Sequence, residues 1–436
     1  MKTARDTALC ALRAVRRQDA WIDGALKEQL SRDRLDARDA ALAAQLCFGV
    51  MQNRMLLDFY LSQLVHGKLT ALQPVVLDIL RLGAYQLLFL QKIPPSAAVN
   101  EAVNQARREA NPKAAGLVNG VLRTLLRSKD ALKEPDSLSV RYSHPQELTE
   151  LLRQAVGEAQ LEPLLQADNA PAPTVLQYNP LKTTPQALEA ELLAAGVRVQ
   201  AHPWLQGAFL VSGTGAIPTL AAFREGRCTV QDVSSRLCAL VLGAKPGMQL
   251  LDCCAAPGGK SFAAAMQMEN RGSLLSCDIH AHKLTLMEKG AQRLGVSILH
   301  TRLLDARERQ PELLGAMDAV LADVPCSGLG VIRKKPDVRY KELSRLSQLP
   351  PIQRGILENV SAYVKPGGVL VYSTCTILPR ENEEICTDFL RMHPEFSPEP
   401  FPVPAGLALE NEGMLTLYPH IHGCDGFFIC KMRRNT

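Results

Sequence analysis

Apolar residues recur at three- and four-residue steps through the first third of the chain, and that spacing predicts helices. Leu9, Leu12 and Val15 form one stripe; Leu42, Leu46, Val50, Leu57 and Leu61 form another. Ile93-Pro94-Pro95-Ser96 closes one segment and opens the next, with Ser96 expected to cap the helix through Val99, Val103 and Arg107. Asn111-Pro112 breaks the chain again before the run from Ala114 to Arg123. A linker is expected at Lys133-Glu134-Pro135-Asp136, and helical spacing returns from Tyr142 to Asn169. Beyond Pro171 the pattern is mixed, with strands expected over 175–178 and 197–199 and between them a helix over 185–195 ended by Gly196.

From Gln231 onward, short apolar runs alternate with helix-length segments. Runs at 250–253, 274–277, 298–304, 319–323 and 369–373 predict a doubly wound parallel sheet, and 423–432 predicts a terminal strand. The helix through Leu237 and Leu240 has Asp232 or Ser234 as its expected cap. The fold class is therefore multidomain: an all-α region over 1–140, a small α+β region over 141–230 and a Rossmann-like α/β domain over 231–436. Ligands of such sheets bind beyond the carboxyl ends of the strands, where Asp278, Asp305 and Asp323 fall.

Composition adds limits rather than a function. A chain of 436 residues exceeds what one core serves, and 47% hydrophobic with 21% charged residues describes a folded protein with little disorder. The 12 cysteines contain no C-x-x-C pair, which predicts free thiols in a reducing compartment. The N-terminus lacks the pattern of a signal peptide and no apolar run would span a bilayer, so the expected location is cytoplasmic, with no membrane contact. The net charge of +5 is uneven: residues 1–140 carry 20 Lys+Arg against 14 Asp+Glu, and residues 141–436 carry 29 against 30. A polyanionic partner suits the N-terminal excess, as does an ordinary solvated surface.

The most specific stretch is Leu250-Leu251-Asp252-Cys253-Cys254-Ala255-Ala256-Pro257-Gly258-Gly259-Lys260, which reads as a strand, a tight turn and the start of a helix. Such a turn brings main-chain N–H groups and a helix N-terminus to a ligand. A phosphate-cradling loop is disfavoured, because the residue five before Gly259 is Cys254 and not glycine. The string resembles the cofactor loop of the S-adenosylmethionine-dependent RNA 5-methylcytosine methyltransferases, whose motif is Asp, any residue, then Cys-Ala-Ala-Pro-Gly-Gly-Lys, matched from Asp252 to Lys260. The resemblance implies S-adenosyl-L-methionine as cofactor, with Cys254, Ala255, Ala256, Pro257, Gly258, Gly259 and Lys260 around it, and Asp323 at the edge of its site. Asp278 is placed to accept the ribose hydroxyls, with a cap on the following helix as the alternative. Asp305 resembles the family's acid near the adenine, and a local pair with Arg307 is its alternative.

Two further strings carry the chemistry. Asp323-Val324-Pro325-Cys326 has a cysteine where enzymes that methylate exocyclic amines have an aromatic, which points to attack on a ring carbon. Tyr372-Ser373-Thr374-Cys375-Thr376, followed by Asn382-Glu383, resembles the family's Thr-Cys motif. Cytosine C5 is too weak a nucleophile to take a methyl group unaided, so a thiolate must first add to C6. The resemblance implies Cys375 as that nucleophile, Asp323 as the group that binds the base and donates a proton at N3, and Cys326 as the cysteine that assists product release. Lys260 is assigned electrostatic support.

Val99-Asn100-Glu101-Ala102-Val103 and the run from Ala114 to Arg123 resemble the NusB-type helical domain fused to one branch of these enzymes, which implies RNA contact; a spacer or interaction domain is the alternative. Tyr178-Asn179-Pro180-Leu181-Lys182 resembles the small RNA-binding-like subdomain of the family, although the usual tryptophan pattern after His144-Pro145 is absent. Arg333, Lys334, Lys335, Arg339, Lys341 and Arg345 follow the Cys326 motif and are expected to meet phosphates. His280 and His282 are read as surface residues, and no metal is expected. Together these features predict a monomeric methyltransferase acting on C5 of a cytosine in small-subunit (16S) ribosomal RNA. A transfer RNA methyltransferase, a DNA cytosine methyltransferase and a catalytically idle ribosome assembly factor are the other readings.

Overall fold

The computed structural model describes residues 2–18 and 20–436. Contacts divide the chain into two compact units, one running to Ala170 and including Ile332–Lys341, the other comprising Pro171–Val331 and Glu342–Thr436.

The first unit is helical: α1 (Ala4–Gln18), α2 (Ile22–Asp33), α3 (Ala37–Gln52), α4 (Arg54–Ser62), α5 (Pro74–Phe89), α6 (Pro95–Glu109), α7 (Pro112–Ser128), α8 (Leu138–Arg141), α9 (Gln146–Val156) and α10 (Glu158–Asn169). Of the predicted stripes, Leu9, Leu12, Leu46, Val50, Leu57 and Leu61 are buried in one core, and Val15 and Leu42 pack partly buried against it. Asp36 and Asn111 accept the amides of Asp39 and Ala114 and so cap α3 and α7. Ser96 does not cap α6, because the helix begins a residue earlier with Pro95, whose fixed φ suits the first turn, and Pro94 precedes it. The stretch read as a linker is tethered: Tyr60 donates to the Glu134 carboxylate at 2.8 Å, and Gln63 donates to the Lys133 carbonyl at 3.1 Å.

Ile332–Lys341 joins this unit through Arg339, which is 1% exposed. Its Nη1 donates to the carbonyls of Gln52 and Tyr142, both at 3.1 Å, and to Asn169 Oδ1 at 2.9 Å. Asp337 accepts the Ile22 amide at 2.8 Å, and Tyr340 donates its hydroxyl to the Ser143 carbonyl at 3.1 Å. Arg339 is thus a buried clasp and not a phosphate contact, which corrects its reading within the basic run; Arg345 is paired with Glu342 at 3.0 Å.

The second unit holds two sheets. β1 (Thr174–Tyr178), β2 (Arg198–Ala201), β3 (Ala208–Ser212) and β4 (Cys228–Val230) form an antiparallel sheet in the order β2-β3-β1-β4, packed by α11 (Pro185–Ala194) and the short α12 (Ala221–Arg224). Asn179 fastens this sheet by donating to the carbonyls of Gly226 and Leu294 at 2.7 and 2.8 Å. The larger sheet contains β5 (Gln249–Asp252), β6 (Ser273–Asp278), β7 (Leu299–Leu303), β8 (Met317–Asp323), β9 (Val364–Thr374), β10 (Phe396–Pro398), β11 (Met414–Leu417) and β12 (Phe427–Arg434). Its order is β10-β12-β9-β8-β5-β6-β7, with β11 on β12. The strands β5 to β9 pair in parallel, and β12, the expected terminal strand, runs antiparallel to β9. Around them lie α13 (Val233–Val241), capped by Asp232, then α14 (Gly259–Gln267), α15 (Ala281–Leu294), α16 (Leu349–Ser361) and α17 (Glu383–Met392). The chain leaves β5 toward β6 and β7, then crosses back to β8 on the other side of β5. The carboxyl ends of β5 and β8 therefore flank a switch point, the place where such sheets leave a crevice.

Candidate active site

β5 delivers the loop between Asp252 and α14 into that crevice. Asp252 is buried, and its Oδ2 accepts the Ser261 hydroxyl at 2.7 Å, which ties the end of the strand to the first turn of the helix. Ser276 of β6 extends the chain by donating to Ser261 at 2.9 Å. Burial pushes the Asp252 carboxyl up to about 7, against the hydrogen bond from Ser261. The Ala255 amide donates to the Cys277 carbonyl at 2.8 Å and the Gly258 amide to the Ala255 carbonyl at 2.7 Å, so the loop is pinned to the neighbouring strand and to itself. Gly258 has φ +103°, and a Cβ there would stand 2.5 Å from the Phe262 ring, so glycine is required by both backbone and space.

A cavity of about 470 Å³ opens beside this loop. It brings together Cys254, Ala256, Asp278, Asp305, Asp323, Cys326 and Cys375, residues spread over more than a hundred positions of sequence. Ala255, Pro257, Gly258, Gly259 and Lys260 are not on its wall; they shape the turn behind it. Asp278, at the end of β6, accepts the His280 amide through Oδ1 at 2.9 Å, and Lys283 lies 3.6 Å from the same oxygen. Its Oδ2 has no hydrogen-bond partner among the described residues, which leaves an acceptor for a ligand. Asp305 is held by Arg307 through Nε at 3.0 Å and Nη2 at 2.6 Å, and that pair holds its carboxyl below the usual range. The local pair weighed for Asp305 in the sequence is therefore formed, and both of its members line the cavity. His280 and His282 pack ring against ring at 5.7 Å.

β8 and β9 deliver the reactive groups. Asp323 accepts Lys260 Nζ at 2.7 Å and the Ser373 hydroxyl at 2.8 Å, one on each oxygen. Burial by itself would lower the Lys260 pKa, but Asp323, with the sulfurs of Cys238 and Cys375, holds it above the ordinary lysine value. Lys260 is therefore a charged partner that fixes the Asp323 carboxylate, and its Nζ also lies 4.9 Å from the Phe427 ring centroid. The Sγ atoms of Cys326 and Cys375 stand 3.2 Å apart, although 49 positions separate them. The hydrogen bond with Cys375, together with burial, pushes the Cys326 thiol well up.

Sequence reading did not find the residues that hold the two cysteine loops together. Glu381 Oε2 accepts the Ser327 amide and Gln353 Nε2, both at 2.9 Å, and Gln353 also donates to the Pro325 carbonyl at 3.0 Å. Ser327 donates to Thr376 Oγ1 at 2.8 Å, the Gly330 amide donates to the Cys375 carbonyl at 2.9 Å, and Thr374 donates to Asn382 Oδ1 at 2.6 Å. Thr376 and Asn382 stand inside or beside the quoted motif and carried a signal; Gln353, in the middle of α16, carried none.

A crevice at the switch point of a parallel sheet with a reversed last strand, lined by acids at the ends of β6 and β8 and by two facing thiols, defines a cofactor-dependent methyltransferase. Known proteins narrow the class. Residues 239–433 match the family model for 16S rRNA methyltransferase RsmB/F, residues 2–127 that of the NusB family, and residues 144–217 that of the RsmF/B-like ferredoxin-like domain. The chain is 37% identical to the probable ribosomal RNA small subunit methyltransferase B of Bacillus subtilis (strain 168), over 99% of both chains. It is 35% identical to the protein so named in Synechocystis sp., over the full length of both. Among solved structures, the crystal structure of PH0851 superposes with a TM-score of 0.81 at 26% identity, over 98% of each chain. The chain belongs to the 16S rRNA methyltransferase RsmB/F family, and as a member it is an S-adenosylmethionine-dependent rRNA methyltransferase. The helices α1–α7 accordingly fall in a NusB-type domain, α9, α10 and the strands β1–β3 in a ferredoxin-like domain, and the large mixed sheet in a methyltransferase domain.

Proposed function

We propose that this enzyme methylates C5 of a cytosine in 16S rRNA through a covalent bond between Cys375 and C6. The finer assignment, cytosine-967, is part of the proposal and follows the family resemblance. The observation that carries the reading is the meeting of Cys375, Cys326 and Asp323 on one cavity wall. The lining suits S-adenosylmethionine: an open carboxylate oxygen on Asp278, Cys254 and Ala256 of the turn, and the Asp305–Arg307 pair. When bound, that cofactor supplies an electrophilic methyl group. The chain's own residues do the rest. Cys375 adds to C6 as thiolate and raises electron density at C5. Asp323, positioned by Lys260 and Ser373, holds the N3 and N4 edge of the base and passes to N3 the proton given up by the Cys375 thiol, which relieves charge there. Cys326, within touching distance of Cys375, assists loss of the C5 proton and release of the nucleophile.

The NusB-type domain, which transfer RNA enzymes of this class do not normally carry, supports rRNA over a small transfer RNA, and we propose functional boundaries near 140 and 230, a monomer as the working form, and the cytoplasm as its location. No described helix is long and apolar enough to cross a membrane. Bisulfite mapping of 16S rRNA from cells lacking the protein tests the substrate: one cytosine should lose its methyl group and regain it on complementation. An unchanged 16S pattern with a lost methyl group in transfer RNA would replace this reading with the transfer RNA alternative.

A further inference from the structure

The helical unit contains a second cavity, of about 220 Å³, lined by α1, α3, α4, α5 and the Ile332–Lys341 segment. Its charged groups are Arg16, Arg54, Arg81 and Lys341, facing Asp78 and Asp337 on the wall and Asp58 beside it. Each carboxylate is engaged. Asp58 holds Arg81 through two contacts of 2.7 Å, Asp78 takes Arg16 at 3.1 Å and Arg81 at 3.3 Å, and Asp337 accepts the Ile22 amide. Lys341 Nζ lies 4.6 Å from the Trp21 ring centroid.

Arg54 is left over. Its guanidinium makes no hydrogen bond or ion pair among the described residues, and it stacks on the Tyr340 ring with the carbon 3.6 Å from the centroid. The hydroxyl of Tyr340 is anchored on the Ser143 carbonyl, so the stacking face is fixed. Burial lowers the Arg54 pKa, Arg81 adds to the effect, and the nearby Asp58 and Asp78 charges offset it only in part. Arg54 is also the first residue of α4, the end of a helix where a cation is disfavoured. A planar five-donor fork, oriented by an aromatic face, desolvated and placed against two local preferences, is the arrangement that bidentate recognition of an oxyanion requires.

We propose that this cavity binds a phosphate group, with Arg54 as its fork and Tyr340 as the platform that orients the fork. The group comes either from an RNA backbone or from free phosphate. This site is separate from the methyl-transfer cavity and its binding can be read without methylation.

The test uses the full chain as wild type, Arg54→Met and Arg54→Lys. In one arm, melting is followed in sodium phosphate against sodium chloride of equal ionic strength; in the other, filter binding of a 16S fragment is measured from 50 to 300 mM salt. Without phosphate, Arg54→Met should melt at or above the wild-type temperature, because it removes an unpaired, desolvated charge. If the source is RNA, Arg54→Met should bind about tenfold more weakly near physiological salt with a salt slope shallower by about 1, and Arg54→Lys should fall between. If the source is free phosphate, phosphate should raise the wild-type melting temperature and not that of Arg54→Met, Arg54→Lys should need severalfold more phosphate, and RNA binding should be equal in all three. Equal behaviour of all three proteins in both arms would overturn the proposal. So would a fall in the melting temperature of phosphate-free Arg54→Met combined with an unaltered phosphate and RNA response in Arg54→Lys, since that pattern means a structural arginine.

Discussion

Replacing Asp252 with asparagine should remove a specific pH dependence of stability. Asp252 is 1% exposed; Oδ2 accepts the Ser261 hydroxyl, while Oδ1 has no partner among the described residues. Burial raises its carboxyl from 3.8 to about 7; the Ser261 bond opposes this, Asp323 adds to it and Lys260 subtracts from it. A carboxyl whose folded pKa is raised binds its proton more tightly in the native state. Its contribution to stability is fully present below about 4 and is lost as pH rises toward and through 7. At about 1.4 kcal/mol per pKa unit, the loss between pH 5 and pH 8 is about 2.5 kcal/mol. The carboxamide of Asp252→Asn would not titrate and could still accept from Ser261. Urea unfolding of wild type and Asp252→Asn at both pH values isolates the effect, because every other group titrates in both proteins. The variant should gain about 2.5 kcal/mol relative to wild type on going from pH 5 to pH 8. A gap that does not change with pH would show that Asp252 is not held as a proton-binding acid, and the account of how β5 is tied to α14 would have to change.

Two further outcomes bear on the cofactor loop. Asp278→Ala should weaken S-adenosylmethionine binding by about 1.5 to 3 kcal/mol in calorimetry, the range for hydrogen bonds to a charged group, and an unchanged affinity in a folded protein would remove Asp278 from the site. Gly258→Ala should cost about 1 to 3 kcal/mol in urea unfolding, since it adds left-handed strain and a contact with Phe262, and should weaken cofactor binding as well; a variant equal to wild type in both would mean the turn adapts freely.

Much of the architecture could be read from local pattern because local pattern causes it. The stripes of α1, α3 and α4 and the apolar runs of β5, β6, β8 and β9 each bury one face or one strand, and periodicity reports burial. The motif cysteines and acids were legible as strings, and the fold explains why such distant strings meet: parallel strands end on one side of the sheet. Long-range polar pairing was not legible. Gln353 looks like any helix residue until Glu381 and the Pro325 carbonyl are placed beside it. Arg339 looked like one charge of a basic run, yet its partners are main-chain carbonyls around Gln52 and Tyr142, and a carbonyl leaves no trace in sequence. The same clasp places Ile332–Lys341 with the helical unit, so a fragment beginning near Gln231 would expose Arg339 without its acceptors. A basic count cannot distinguish a phosphate contact from a buried donor, and burial separates Arg339 from the other basic residues of the run.

The assignment of the two cysteines is tested most directly by covalent trapping. Wild type, Cys375→Ala and Cys326→Ala are incubated with 16S RNA and S-adenosylmethionine and resolved by denaturing electrophoresis. With Cys375 as the nucleophile, Cys375→Ala should lose both methyl transfer and any protein–RNA adduct, because C5 is never activated. Cys326→Ala should add to the base and methylate it but fail to release, so a stable adduct accumulates. An adduct that is lost in Cys326→Ala and retained in Cys375→Ala would reverse the roles of the two thiols and contradict the mechanism.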